Sequence, residues 1–176
     1  TTIEQTEDLN ILYRCKEGSN ASNLTIRVMN IVEKSLRKAI KDIPSNEKEV
    51  QDAFENLLLG ADISFSRETK SVEYSSKTYK PDFIITEIKL AVELKFCNRK
   101  EREKELIAEI NDDIMAYSKK YKSILFIVYD LGIIWDVDKF GNEFMKNQNI
   151  FLLIVEHWFK MTNLILIFLI RRWNYY

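Results

Sequence analysis

Nine consecutive residues constrain this chain more than any other stretch. From Ile88 to Phe96 the order Ile-Lys-Leu-Ala-Val-Glu-Leu-Lys-Phe puts a large apolar side chain at every even position. Side chains of a β-strand alternate between two faces, so this period of two predicts a strand with one apolar face and with Lys89, Glu93 and Lys95 together on the other.

Around that strand the chain alternates helical and extended patterns. Ile26, Met29, Ile31, Val32, Leu36 and Ile40 recur at helical spacing, which predicts a helix from Leu24 to Ile40 that ends at Pro44-Ser45-Asn46. Ser45 or Asn46 can cap a second helix with Glu47 and Glu49 in its first turn and Val50, Phe54, Leu57 and Leu58 as its buried stripe; Gly60 is expected to stop it. Between Ile63 and Thr86 β-branched and aromatic residues predict two strands with a turn at Ser75-Ser76-Lys77. After the central strand come a long amphipathic helix from Arg99 to Tyr121 and a doubly buried strand from Ser123 to Tyr129. A short helix from Asp136 to Lys146 and a strand from Ile150 to Val155 follow. The order helix, helix, three strands, helix, strand, helix, strand predicts an α/β fold with a central mixed sheet flanked by helices. A length of 176 residues suits one compact domain with a short extra segment. The expected divisions are an N-terminal helical segment at 1–44, a core at 45–157 and an apolar tail at 158–176.

Composition excludes several functions. With 26 basic and 27 acidic side chains the formal net charge is −1, so nucleic-acid binding would rely on local patches. Two distant cysteines and one histidine leave a Cys/His zinc site without ligands and give no disulfide framework. The polar, acidic start from Thr1 to Asn10 lacks the pattern of a secretion signal, and a cytoplasmic location is expected. The apolar run from Leu164 to Ile170 is too short to span a bilayer, which needs about 20 residues, so no membrane partner is expected. A buried strand, a dimer contact or an altered chain end are its open readings.

Asp82 follows Pro81 at the start of a strand, and Glu93 and Lys95 share one face of the next, so two carboxylates and an ammonium can meet. Phosphodiester hydrolysis needs a divalent ion on oxygen ligands, which Asp82 and Glu93 can supply. Lys95 can orient or help deprotonate the attacking water and offset charge on the transition state. The competing reading is a surface salt bridge on an exposed sheet face.

Pro81-Asp82, ten intervening residues and Glu93-Leu94-Lys95 resemble the signature of PD-(D/E)xK nucleases. The stretches EVQDAFENLL, FSRETKSVEYSSKTYKPDF, ELKFCNRKEREKELIAEINDDIMAYSKKY and FIVYDLG, roughly Glu47 to His157, resemble the nuclease domain related to DpnII/MboI-type restriction endonucleases. The resemblance implies a restriction-endonuclease-like core and a Mg2+-dependent deoxyribonuclease, with Mn2+ as substitute. It also implies duplex DNA as substrate, a restriction or phage-defence setting and a homodimer, because two symmetry-related sites cut both strands simply. It implies a further acidic residue on the helix before the sheet, for which Glu49 is the positional match and Glu47 and Glu55 are substitutes. On the long helix, Glu109, Asp113 and Tyr117 are supporting candidates; Asp113 followed by Tyr117 resembles the Gln-x-x-x-Tyr motif of the RecB-like branch with Asp in place of Gln.

Arg67, Lys80, Arg99, Lys100 and Arg102 are the candidate nucleic-acid contacts, set against the reading of a solvated charged face. Cys97 and His157 read as structural, since no nearby histidine could activate the thiol. Two other functions stay open: a nucleic-acid-binding or partner subunit that keeps the fold without turnover, and a nuclease acting on RNA or on particular DNA structures.

Overall fold

The computed structural model describes residues 11–12, 20–67, 71–74, 77–144 and 149–157. Its centre is a mixed six-stranded sheet in the order β1-β8-β7-β6-β5-β2, formed by β1 (Ile11–Leu12), β2 (Ser66–Arg67), β5 (Phe83–Ile85), β6 (Leu90–Cys97), β7 (Ser123–Asp130) and β8 (Ile150–Glu156). Strands β6, β7 and β8 run parallel, while β5, β2 and β1 pair antiparallel with their neighbours. Parallel neighbours need crossovers. Helices α4 (Arg102–Tyr117) and α5 (Val137–Asn142) supply them. The architecture is the α/β arrangement expected, a mixed sheet between helices.

One face of the sheet is covered by α1 (Asn20–Ile31), a π-helical turn at Val32–Leu36, α2 (Arg37–Ala39) and α3 (Glu47–Gly60). Val28, Val32, Leu36, Val50, Phe54 and Leu58 pack there against Leu90, Val92, Leu94 and Phe96. The opposite face carries α4 and α5, with Leu106, Ile110, Ile114 and Tyr117 packed over Ala91, Cys97, Phe126 and Val128. Both faces of β6 are therefore buried, and the salt bridge on an exposed face is ruled out: Glu93 is 8% and Lys95 7% exposed.

Several sequence expectations need correction. The region from Ile63 to Thr86 holds four short strands among the described residues, because β3 (Val72–Tyr74) and β4 (Lys77–Tyr79) form a separate ribbon packed on α4 through Val72, Tyr74 and Tyr79. The central strand begins at Leu90, not Ile88. Thr86–Ile88 is a 3-10 turn, and Lys89 takes a left-handed conformation (φ 52°) that closes the β5–β6 hairpin, which removes it from the Glu93 face. Helix α4 is shorter than expected at both ends, giving way to turns at Arg99 and Ser118. Gly60 is the last residue of α3 and Ala61 its cap; the left-handed residue after it is Asp62 (φ 53°). Asp136 caps α5, which ends at Asn142. Among the described residues no helix is long and apolar enough to cross a membrane, and the apolar tail at 158–176 lies outside the described residues.

Candidate active site

The site grows from a mismatch in strand length. β5 pairs with β6 only from Leu90 to Val92, yet β6 runs on to Cys97. Beyond the end of β5, every second backbone N–H on that edge of β6 lacks a strand partner. Side-chain carboxylates take those places. Asp82 Oδ2 accepts from Leu94 N at 2.8 Å, and Glu47 Oε2 accepts from Phe96 N at 3.0 Å. Two carboxylates are thus drawn into a notch in the sheet by the backbone itself, with α3 on one side and α4 on the other.

Glu93 meets them from within β6. Its Oε2 accepts from Asp82 N at 3.3 Å and from the Tyr117 hydroxyl at 3.1 Å, and its Oε1 accepts from Lys95 Nζ at 3.0 Å. Lys95 Nζ also lies 2.8 Å from Asp113 Oδ2 and 3.8 Å from Glu109 Oε2. Asp113 and Tyr117 stand one turn apart on α4, so a single helix face fixes both the lysine and the glutamate.

The electrostatics follow from burial. Desolvation, reinforced by the Glu47 charge, pushes Asp82 up to about 6 against a pull from the Leu94 N–H. Desolvation and then the Asp82 carboxylate push Glu93 up to about 8, with Lys95 opposing. Glu47 and Asp113 are raised by burial too, each partly offset by Lys95. Burial works against the Lys95 ammonium, but the Glu93 and Asp113 carboxylates outweigh it, so its pKa is raised and it stays charged. Burial and the neighbouring carboxylates raise the Tyr117 hydroxyl, which remains a donor. The notch gathers more carboxyl groups than Lys95 alone can pair.

That excess, on oxygen donors alone, suits a hard divalent cation. Among the described residues no three Asp, Glu, His or Cys side chains form a ready-made cage. A hard ion such as magnesium is usually bound through one or two carboxylates with water and substrate completing the shell, and Asp82 and Glu93 are the residues that could supply them.

The remaining candidates sort by position. Glu49 stays outside the notch: its carboxylate accepts from Ser45 N at 3.0 Å and Asn46 Nδ2 at 3.3 Å, while Asn46 Oδ1 accepts from Glu49 N, a reciprocal helix cap. Glu47, two residues earlier, is the acidic side chain of α3 that reaches β6. Glu55 pairs with Arg67. Arg67 also lies 2.8 Å from Asp52 and donates to Gln51 Oε1 at 3.3 Å, and Gln51 in turn donates to Asp82 Oδ1 at 2.9 Å, which places Arg67 beside the notch. Arg102 pairs with Glu109 and Glu105 and reaches the Phe96 carbonyl at 3.4 Å. Arg99 pairs with Glu105 at 2.7 Å on the surface, and Lys80 and Lys100 are exposed.

Gln51 was not anticipated. The available signal was its position four residues after Glu47 and four before Glu55, one face of α3. Cys97 and His157 are both buried. Burial and the adjacent Asp130 push the Cys97 thiol up to about 12, and His157 Nδ1 lies 2.6 Å from the Tyr129 hydroxyl.

The sequence model of one family, described as REase_DpnII-MboI, matches residues 23–157, and the chain belongs to this DpnII-MboI family of restriction endonucleases. No curated protein and no solved structure gives a match. Membership supports a DNA endonuclease function, in a family that typically uses a divalent metal.

Proposed function

We propose that this member of the DpnII-MboI restriction endonuclease family is a magnesium-dependent endonuclease that hydrolyses duplex DNA at the notch formed by Asp82, Glu93 and Lys95. The observation that carries the proposal is the meeting of two buried, mutually repelling carboxylates with a charged lysine where the sheet edge opens. Asp82 and Glu93 would hold the magnesium ion, or manganese in its place. The chemistry a bound ion supplies is polarisation of the phosphoryl oxygens and a more acidic water. Lys95, held between Glu93 and Asp113, keeps its proton, which suits an ammonium that orients the attacking water and stabilises negative charge on phosphorus. Tyr117 fixes the rotamer of Glu93, and Glu47 adds the third carboxylate from α3. Arg67, Lys80, Arg99, Lys100 and Arg102 are the proposed phosphate contacts around it.

A homodimer would place two such sites on opposite strands of a duplex. The family match supports a restriction role, and a part in phage defence in the cytoplasm belongs to the same proposal. Cleavage of plasmid and oligonucleotide duplexes with and without Mg2+ tests the reading. Expected is metal-dependent cutting that disappears in Lys95→Ala and Asp82→Ala proteins with native circular dichroism. Equal cutting by wild type and both variants would reject this site, and preference for RNA over duplex DNA would reject the substrate.

A further inference from the structure

Gln51 is a buried polar side chain, 9% exposed, with no part in the chemistry proposed for the notch. Both ends of its amide are committed. Nε2 donates to Asp82 Oδ1 at 2.9 Å, and Oε1 accepts from Arg67 Nη2 at 3.3 Å. The partners leave one orientation for the amide, because a flip would set its NH2 against a guanidinium and its oxygen against a carboxylate.

Asp82 lies just before β5, and its carboxylate is oriented by two donors, Leu94 N and Gln51 Nε2. The other end of the chain of hydrogen bonds is anchored as firmly. Arg67 is clamped by Asp52 and Glu55 and lies over the Phe83 ring, 5.4 Å from its centroid. A donor on the amide oxygen strengthens the amide N–H as a donor in turn, so the two hydrogen bonds reinforce each other.

We infer that Gln51 is a positioning residue that links Arg67 to the orientation of Asp82, so that the cation beside the notch improves the carboxylate as a ligand for a divalent ion. The inference rests on Asp82 being such a ligand. It has a consequence that Coulomb attraction alone does not share. Removing a positive charge near a cation site should tighten cation binding. Removing Arg67 should instead weaken it, because Gln51 loses the partner that orients it. With Gln51 already gone, removing Arg67 should act through charge alone and tighten binding.

The test is calorimetric titration of the metal-free full chain with Mn2+, without DNA, on wild type, Asp82→Ala, Gln51→Met, Arg67→Met and the Gln51→Met/Arg67→Met pair. Folding is checked by thermal unfolding. Methionine keeps the length of glutamine without its hydrogen bonds. Expected is a weakening of about 10- to 100-fold in Gln51→Met, the usual effect of losing a group that orients a ligand. A smaller weakening is expected in Arg67→Met, and tighter binding in the pair than in Gln51→Met. Unchanged affinity in Gln51→Met, or tightening by Arg67→Met in both backgrounds, overturns the inference while the metal reading stands. Wild-type affinity in Asp82→Ala overturns both. If Gln51→Met does not fold, Arg67→Met decides from the far end: weakening supports the link and tightening rejects it.

Discussion

The two faces of β6 make opposite use of one strand. Toward α1 and α3 it presents Leu90, Val92, Leu94 and Phe96 to an apolar cluster. Toward α4 it presents Ala91, Glu93, Lys95 and Cys97, and the two charged side chains there are as closed to solvent as many core residues. Burying apolar area stabilises the fold at roughly 25 cal/mol per Å2, whereas carboxylates removed from water cost several kcal/mol unless paired. The apolar face thus carries the stability that the charged face consumes. Keeping the two on one strand sets Glu93 and Lys95 on an element buried along its whole length.

The largest expected effect breaks the charged face. Lys95→Ala should lower single-turnover cleavage by about 100- to 10,000-fold, the range for a positioned proton-handling or charge-stabilising group. A loss below about tenfold would move the lysine out of the chemistry. Next comes the apolar face, where Leu90→Ala should lower unfolding stability in urea by about 2–5 kcal/mol, with cleavage per folded molecule unchanged. A rate loss matching that of Lys95→Ala would show that the two faces are not separable.

A third prediction uses pH. In the unfolded chain Asp82 and Glu93 lose their protons near the ordinary carboxylate values of 3.8 and 4.5; in the folded chain they hold them to about 6 and about 8. Across that window the native state binds more protons, so stability without metal falls as pH rises and is lowest above about 8. Lys95, with a raised pKa, is charged throughout. His157, lowered by burial, acts in the opposite sense below its ordinary 6.5, so the fall should be clearest between pH 6.5 and 8. Thermal unfolding with chelator should show a loss of about 1–3 kcal/mol over that interval, and Mg2+ should restore it by binding the ionised native state. A flat profile would mean that the carboxylates are not crowded. The smallest effect lies outside both faces: Lys80→Ala and Lys100→Ala should each weaken binding of uncut DNA a few-fold and reduce the salt slope by about one. An unchanged slope would make them ordinary solvated lysines.

What the sequence disclosed tracks how far each signal depends on neighbours. Period-two alternation belongs to one strand, so it located Glu93 and Lys95 without help. The four-residue step from Asp113 to Tyr117 likewise belongs to one helix, and both side chains face the notch. On α3 the choice between Glu47 and Glu49 depends on how the helix is rotated against the sheet. Two residues amount to about 200° of turn, and only packing fixes that angle. Glu49 also carried an ordinary role of its own, the cap with Asn46. Gln51 has no charge to draw notice, and its importance comes from partners 16 and 31 residues away. The β3–β4 ribbon was merged with its neighbours because short strands of similar composition look alike until pairing separates them.

The hairpin that joins β5 to β6 also acts as a ruler. Its register sets Phe83 against Val92, Ile84 against Ala91 and Ile85 against Leu90, and the next residues along the two strands are Asp82 and Glu93, where the Asp82 N–H donates to the Glu93 carboxylate at 3.3 Å. The distance between those carboxylates is therefore measured from the paired strands and is independent of the turn at Thr86–Lys89. Residues added at that turn would change the spacing of the motif in the sequence and leave the site intact. One residue removed between Asp82 and Ile85 would turn the aspartate to the other side of the sheet. Natural variation in the gap between the two halves of the motif should accumulate at the turn, and a linker engineered there is the insertion this notch is built to ignore.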